Sequence, residues 1–291
     1  MPKSRLIYNR KYQRLNILEW VSETPNAPIC LFLHGLSNNA AIWHSIADNI
    51  TPYYQMVALD FRGHGDSDWD PDHAYTHNDF IDDLHYCIAS LNLKHIHLIG
   101  HSLGARVAAL YLQQYGADIL SFTIIDTGPN VKSGASNKIK DDMNAMPRVF
   151  SSPDNYLALL SKIYILSQPS ELAQMAQHDL RQRTDGSWEL KFDHNIISAL
   201  WSSNTEQGNN ALENKQDSLW EAFTNILVPS LVIRGKVSAV LGRRTAQEMT
   251  ERMPNATLAT IERAGHAVMT DNPTEVSKVI VRFLEQIAAT A

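Results

Sequence analysis

The sequence predicts an α/β fold, in which a mostly parallel sheet carries helices on both faces and a helical insertion interrupts the pattern. Short apolar runs recur along the 291 residues, each closed by glycine or a polar turn, as in strands buried on both faces. Amphipathic segments separate these runs, and such alternation is typical of parallel sheets. The alternation stops in one stretch that is too long for a loop.

Eight apolar runs are predicted as strands: LIY, LNILEW, ICLFLHG, MVALDFRG, IHLIGHS, LSFTIIDTG, SLVIRG and ATLATIERAGH. The first helix with a clear start follows Thr76, because Asp79 three residues later completes a pattern typical of a capping box. A second helical segment begins at Ser102 and ends at Gly116, a residue type that favours helix termination.

The interruption divides the chain into two predicted units. Residues 1–129 and 226–291 form the sheet domain, and residues 130–225 form the insertion. The insertion contains helix-like pieces and no clear strand except WELKFD. Its large side chains either pack the insertion itself or wall an apolar acyl pocket: Met143, Met146, Phe150, Tyr156, Tyr164 and Trp201.

Composition and charge exclude several classes of protein. The net charge is −6 and no basic cluster is present, so nucleic acid is not an expected partner. No window approaches the roughly 20 apolar residues of a membrane span. The basic start of the chain lacks the apolar core of a signal peptide. We therefore expect a soluble, cytoplasmic protein whose partner is a small molecule.

No cofactor or metal is expected. The sequence has no Rossmann GxGxxG, P-loop or HExxH motif. Cys30 and Cys87 lie in apolar stretches without metal-like spacing. They are expected to be buried free thiols of a reducing compartment, and a single bridge between them is the alternative.

The segment GHSLG, residues 100–104, lies where a predicted strand meets a helix. Gly100 and Gly104 remove side chains where a sharp turn would crowd the neighbouring backbone. Such a turn exposes the hydroxyl of Ser102 as a nucleophile and directs the N–H of Leu103 toward an oxyanion. The alternative is that Ser102 caps the following helix.

Two further turns supply partners for Ser102. His266 follows the last predicted strand, so it lies at the same sheet edge as Ser102 and is the candidate general base. The turn HGLSNN follows an early strand, and the N–H of Leu36 there is a second candidate oxyanion donor.

Three residues at or just beyond this turn are predicted to contact the substrate: His34, Gly35 and Trp43. The alternative is that His34 and Gly35 merely form a tight turn. For Trp43 the alternative is that its side chain packs in the core instead of contacting the substrate.

Six segments in this order resemble the α/β-hydrolase family over nearly the whole chain: LFLHGLSNN, VALDFRGHGDSD, LIGHSLGA, FTIIDTGP, LVIRG and AGHAVMTDNP. The resemblance implies an eight-stranded, mostly parallel sheet with a helical cap inserted after the sixth strand. A serine nucleophile argues against dehalogenase and epoxide hydrolase chemistry, which in this family uses aspartate at that position. Asp60, Arg62 and Gly63 are expected to shape the loop after the fourth strand.

The third member of the predicted triad departs from the common pattern. Many relatives carry the acid three or four residues beyond the glycine that ends the seventh strand, but residues 236–239 read KVSA. Asp126 ends the predicted sixth strand, 24 residues after Ser102, and some family members, including one branch of the haloalkane dehalogenases, place the acid there. The alternatives are that Asp126 only stabilises the turn before Gly128, or that the triad is degenerate.

The sequence thus predicts a cofactor-independent, carboxylesterase-like serine hydrolase of small to medium carboxylic esters. In this prediction Ser102 attacks the carbonyl carbon, His266 takes its proton, and Asp126 orients the imidazole. Cleavage of carbon–carbon, thioester or amide bonds on the same fold remains an alternative. So does a ligand-binding protein with no turnover, because fold alone does not determine function.

Overall fold

A computed structural model describes residues 2–116, 118–130, 133–202 and 218–289. The strands are β1 (Lys3–Tyr8), β2 (Arg14–Trp20), β3 (Ile29–Leu33), β4 (Gln55–Leu59), β5 (Ile96–His101), β6 (Ile119–Ile125), β7 (Val149–Phe150), β8 (Leu180–Gln182), β9 (Trp188–Leu190), β10 (Ser230–Gly235) and β11 (Ala256–Ile261). Each of the eight runs predicted from the sequence overlaps one of these strands.

Helices occupy most of the connections. They are α1 (His44–Ile50), α2 (His77–Ser90), α3 (Leu103–Tyr115), α4 (Ser133–Ala145), α5 (Pro153–Ile163), α6 (Pro169–His178), α7 (Asn195–Ser202), α8 (218–224), α9 (Arg243–Arg252), α10 (Val268–Asp271) and α11 (Pro273–Ala288). A short 3₁₀ helix, Ala40–Trp43, precedes α1. The predicted capping box at Thr76 and Asp79 begins α2, and Gly116 ends α3 in the left-handed conformation.

The main sheet has eight strands in the order β1-β2-β4-β3-β5-β6-β10-β11. Only the β1–β2 and β2–β4 pairs are antiparallel, and the other neighbours are parallel. The predicted fold class is therefore confirmed. Since β3, β5, β6, β10 and β11 run the same way, the loops that follow them meet at one edge of the sheet.

The core lies on both faces of this sheet. Along β3, Leu31 and Leu33 belong to one buried apolar cluster, whereas Cys30 and Phe32 belong to the other. This division follows from the strand geometry, because successive side chains point to opposite faces. Cys30 and Cys87 are buried free thiols. Within the described ranges, no helix combines the length and apolar character needed to cross a membrane.

The stretch between β6 and β10 differs from the sequence prediction in one respect. It contains the expected helices, but it also contains a three-stranded antiparallel sheet in the order β7-β9-β8. Of these strands only β9 lies in the WELKFD segment. Strands of two or three residues are too short to display the alternation that identifies a strand in sequence. Residues 203–217 of the predicted insertion lie outside the described residues, and the boundaries 130–225 stay a prediction.

The loop after β4 is fixed by buried charges, in agreement with a structural role for Arg62. The Arg62 side chain is only 3% exposed, and its Nε and Nη2 donate to the two oxygens of Asp83 at 2.8 and 2.6 Å. Asp83 lies on α2 and is fully buried. Asp60 anchors the same loop by accepting a hydrogen bond from the Ala40 amide at 2.5 Å. This network attaches the loop after β4 to α2.

We expect Arg62→Met to lower the free energy of unfolding by about 3–5 kcal/mol, because it leaves the buried Asp83 carboxylate without its cation. Urea unfolding followed by circular dichroism measures the change. Arg14→Met is the matched control, since Arg14 also forms a two-pronged contact, with Asp68, but is half exposed. If Arg14→Met lowers the free energy of unfolding as much as Arg62→Met does, burial of the ion pair is not the cause of the loss.

Candidate active site

Ser102 lies between β5 and α3 with a strained backbone, at φ 51° and ψ −113°. Its side chain makes no capping hydrogen bond to α3, so the capping alternative is not what the structure contains. The flanking glycines explain how the turn forms. A Cβ on Gly104 would lie 2.5 Å from the Leu33 carbonyl oxygen, and one on Gly100 would lie 2.6 Å from the Ala105 nitrogen. Only glycine permits backbones to approach this closely.

Asp126 follows β6 directly and is fully buried. Its carboxylate accepts three hydrogen bonds. Oδ1 accepts from the Gly235 amide at 2.9 Å, and Oδ2 accepts from the Ser238 hydroxyl at 2.5 Å and from His266 Nδ1 at 2.8 Å. These donors hold the carboxylate in one orientation although it is excluded from water.

His266 lies in the loop between β11 and α10, and its side chain is one-third exposed. With Nδ1–H donating to Asp126, the neutral ring presents Nε2 as a proton acceptor. His266 and Ser102 line the same cavity. The structure therefore brings the three predicted triad residues to one edge of the sheet, and their catalytic roles stay a prediction.

Ser238 is a site residue that the sequence interpretation missed. It lies in the turn after β10, where the common pattern has the acid, and its Oγ donates to Asp126. The same oxygen accepts hydrogen bonds from the amides of Val240 and Leu241 at 3.1 and 3.2 Å, which orient the hydroxyl. Its position three residues beyond Gly235 is the signal that the sequence offers, but a hydroxyl at this position does not match the acid of the common pattern.

His101 is a second residue that sequence reasoning did not single out. Its ring lies 4.7 Å from the ring of His266, and its Nε2–H donates to the His266 carbonyl oxygen at 3.0 Å. Burial holds the pKa of His101 well below its ordinary value, so this ring is neutral near pH 7. His101 therefore supports the His266 loop without adding charge beside it.

Three residues predicted to bind substrate lie elsewhere. His34 is fully buried, with Nδ1 bonded to the Gly35 carbonyl and Nε2 accepting from the Phe61 amide. Gly35 packs against the ring of His101. Trp43 is fully buried against Phe32. None of the three is part of the cavity wall described below, and the structure favours a packing role for each.

A cavity of about 790 Å³ opens over Ser102. Leu36 and Leu103 lie on its wall, and as the first residue of α3, Leu103 has an N–H without an intrahelical acceptor. The stretch between β6 and β10 supplies an apolar part of the wall: Ile139, Met143, Met146, Leu159, Tyr164, Met175 and Trp201. Phe150 and Tyr156 instead pack together in the core. In the described part of the chain, no cluster of histidine, cysteine or acidic residues is arranged to hold a metal.

Comparisons with known proteins agree with this architecture. A family model described as alpha/beta hydrolase fold matches residues 28–273. The 2-(acetamidomethylene)succinate hydrolase of Mesorhizobium japonicum is 26% identical over 91% of this chain and 91% of its own length. The 3-hydroxybutyrate-oligomer hydrolase of Cupriavidus necator is 25% identical over 91% of this chain and 90% of its own.

Solved structures give the same result for the fold. The crystal structure of E-2-(acetamidomethylene)succinate hydrolase superposes with a TM-score of 0.85 at 24% identity, covering 98% of this chain and 100% of that one. Together with the family model, which spans most of the sequence, this likeness settles the classification: the chain belongs to the alpha/beta hydrolase fold family.

Proposed function

We propose that this chain is a serine hydrolase that cleaves small to medium carboxylic esters through an acyl-enzyme. The observation that carries the proposal is the hydrogen bond between the buried Asp126 carboxylate and His266. His266 lines the same cavity as Ser102. A serine in a strained turn, free of any capping bond, that shares a cavity wall with an oriented imidazole fits the arrangement that activates a hydroxyl.

The first half of the reaction forms the acyl-enzyme. Ser102 Oγ attacks the ester carbonyl carbon while His266 Nε2 takes the hydroxyl proton. The carbonyl oxygen becomes an oxyanion, which accepts hydrogen bonds from the amides of Leu36 and Leu103. Asp126 stabilises the imidazolium. As the tetrahedral intermediate collapses, His266 returns its proton to the departing alkoxide, and an alcohol leaves.

The second half releases the acid. His266 takes a proton from water, and the resulting hydroxide attacks the acyl carbon on Ser102. The second tetrahedral intermediate collapses, Ser102 recovers its proton from His266, and a carboxylic acid leaves. Whenever the ring of His266 is neutral, Asp126 keeps its proton on Nδ1, and Ser238 holds the Asp126 carboxylate in place.

The cavity supports a substrate of limited size. Its volume of about 790 Å³ lies in the range that accommodates small ligands, and part of its wall is apolar. The Cupriavidus relative is named for oligomers of a hydroxy acid, whose units are joined by ester bonds. The Mesorhizobium relative is named for a different substrate. Amides should therefore be tested as substrates together with esters.

We expect Ser102→Ala and His266→Ala to lower kcat for 4-nitrophenyl esters by about 10⁴ to 10⁶, because each removes a member of one proton-transfer unit. Asp126→Asn is expected to lower kcat by about 10⁴ by destabilising the productive tautomer. An acyl series from acetate to decanoate, followed by nitrophenolate absorbance, measures these effects and the chain-length preference.

Asp271→Asn is the control for the acid, because Asp271 is another buried carboxylate close to His266, bonded to the Gly265 amide. Loss of turnover in Asp271→Asn with near-native Asp126→Asn would show that Asp126 is not the acid. A native protein that hydrolyses neither esters, thioesters nor amides would favour the ligand-binding alternative.

We further expect that moving the carboxylate from position 126 to position 238, by exchanging Asp126 and Ser238, restores part of the activity that Asp126→Ser loses. Both side chains contact one another, so a carboxylate at position 238 lies within reach of His266 Nδ1. Asp126→Ser alone is expected to lose about 10⁴ in kcat, and Asp126→Ser/Ser238→Asp to regain at least about tenfold. Initial rates with the best ester of the series measure the recovery.

The uncharged exchange Asp126→Ser/Ser238→Asn controls for side-chain volume at position 238. It is expected to remain as slow as Asp126→Ser. Equal rates for the aspartate and asparagine exchanges would mean that a carboxylate at position 238 does not orient His266.

A further inference from the structure

Arg106 is a cation on the cavity wall without a counterion in the described part of the chain. It lies on α3, one helical turn after Ser102, and lines the same cavity. Its Nε donates to the Thr127 hydroxyl at 3.2 Å and its Nη2 to the Gly128 carbonyl at 3.1 Å. Both acceptors are neutral. A guanidinium has five N–H donors, so these two bonds leave three for another acceptor.

The surroundings of Arg106 make an anion favourable. Burial lowers the pKa of Arg106 to about 10, and the side chain remains charged near pH 7. A desolvated cation without a counterion is destabilising, and a bound anion with two acceptor oxygens relieves this cost. Within the described residues, Nη1 makes no hydrogen bond, and the residue as a whole is half-buried.

The other charged side chains on the described cavity wall do not cancel Arg106. Lys138 and Asp142 pair with each other at 2.9 Å. Lys162, on the exposed end of α5, adds a further positive charge. The described part of the cavity wall thus carries a positive excess in a chain whose net charge is −6. Such a local excess attracts anionic ligands.

We propose that Arg106 binds a carboxylate in the acyl part of the substrate, so that the esters cleaved here are half-esters of short dicarboxylic acids. This inference rests on the proposed ester hydrolysis. Ser102 and Arg106 are four residues apart, a separation of about 6 Å along a helix axis, and both line the cavity, so an acyl group held on Ser102 shares that cavity with the guanidinium. We take the succinyl group as the test case, because it is a short diacyl group that leaves as a dicarboxylic acid on hydrolysis.

A merely structural role for Arg106 is the competing explanation, because its bonds to Thr127 and Gly128 brace the loop that follows Asp126. The two roles differ in what they do to a neutral ester. Loss of a brace slows charged and neutral substrates alike, whereas loss of a carboxylate contact slows only the charged substrate.

Ethyl hydrogen succinate and ethyl 4-methylpentanoate are the paired probes, because an isopropyl group replaces the carboxylate with nearly the same shape. Ethanol release by the native protein and by Arg106→Gln gives kcat/KM for each. We expect the native protein to prefer the succinate half-ester by about tenfold or more. Arg106→Gln should lose this preference, so that kcat/KM falls at least about tenfold more for the half-ester than for the neutral ester.

Two variants guard this interpretation. Arg106→Lys keeps the charge but not the paired donors, and should fall between native and Arg106→Gln for the half-ester. It also provides the test if Arg106→Gln does not fold. Lys162→Gln removes a cation from the exposed rim and should cost less than Arg106→Gln.

Equal losses on both esters, or a larger loss in Lys162→Gln, would overturn the proposal. A native protein that hydrolyses the 4-nitrophenyl series but shows no preference for the half-ester also overturns it, while ester hydrolysis stands. If the native protein cleaves neither the series nor either ethyl ester, the proposed function fails and the role of Arg106 fails with it.

Discussion

The buried carboxylate of Asp126 ties the end of β6 to two segments that are far away in sequence, the turn after β10 and the loop after β11. It accepts hydrogen bonds from Gly235 at the end of β10, from Ser238 in the next turn, and from His266 beyond β11. An ionised carboxylate without exposure is stable only when such donors replace water. Because parallel strands deliver these donors to one sheet edge, the position of His266 depends on the register of the whole sheet.

Several neutral histidines lie in the loops or strand ends at the same edge of the sheet as Asp126. His34 and His64 are fully buried and their rings lie 4.9 Å apart, and His101 lies beside His266. Burial lowers the pKa of His34 to about 4 and holds those of His64 and His101 well below their ordinary values. These rings therefore fill space and form hydrogen bonds without competing for the charge of Asp126.

Sequence patterns predicted the sheet, the strained turn at Ser102 and the placement of His266, because local glycine spacing and strand order determine these features. The patterns failed where tertiary packing decides the outcome. Trp43 follows a loop near the site, yet its ring packs against Phe32 in the core. Strands β7 and β8 have only two and three residues, and they form through pairing with β9, which no local periodicity reveals.

Asp126, the predicted acid, illustrates why chain position is a weak guide to a site at a sheet edge. β6 and β10 are hydrogen-bonded neighbours, with Ile125 opposite Ile233, and the Asp126 amide donates to the Ile233 carbonyl oxygen at 2.8 Å. Side chains that follow either strand therefore converge on one point beside His266. In this chain the hydroxyl of Ser238, after β10, and the carboxylate of Asp126, after β6, meet there in a hydrogen bond. Orientation of the imidazole requires a carboxylate at that point, and the fold offers two strands that can supply it.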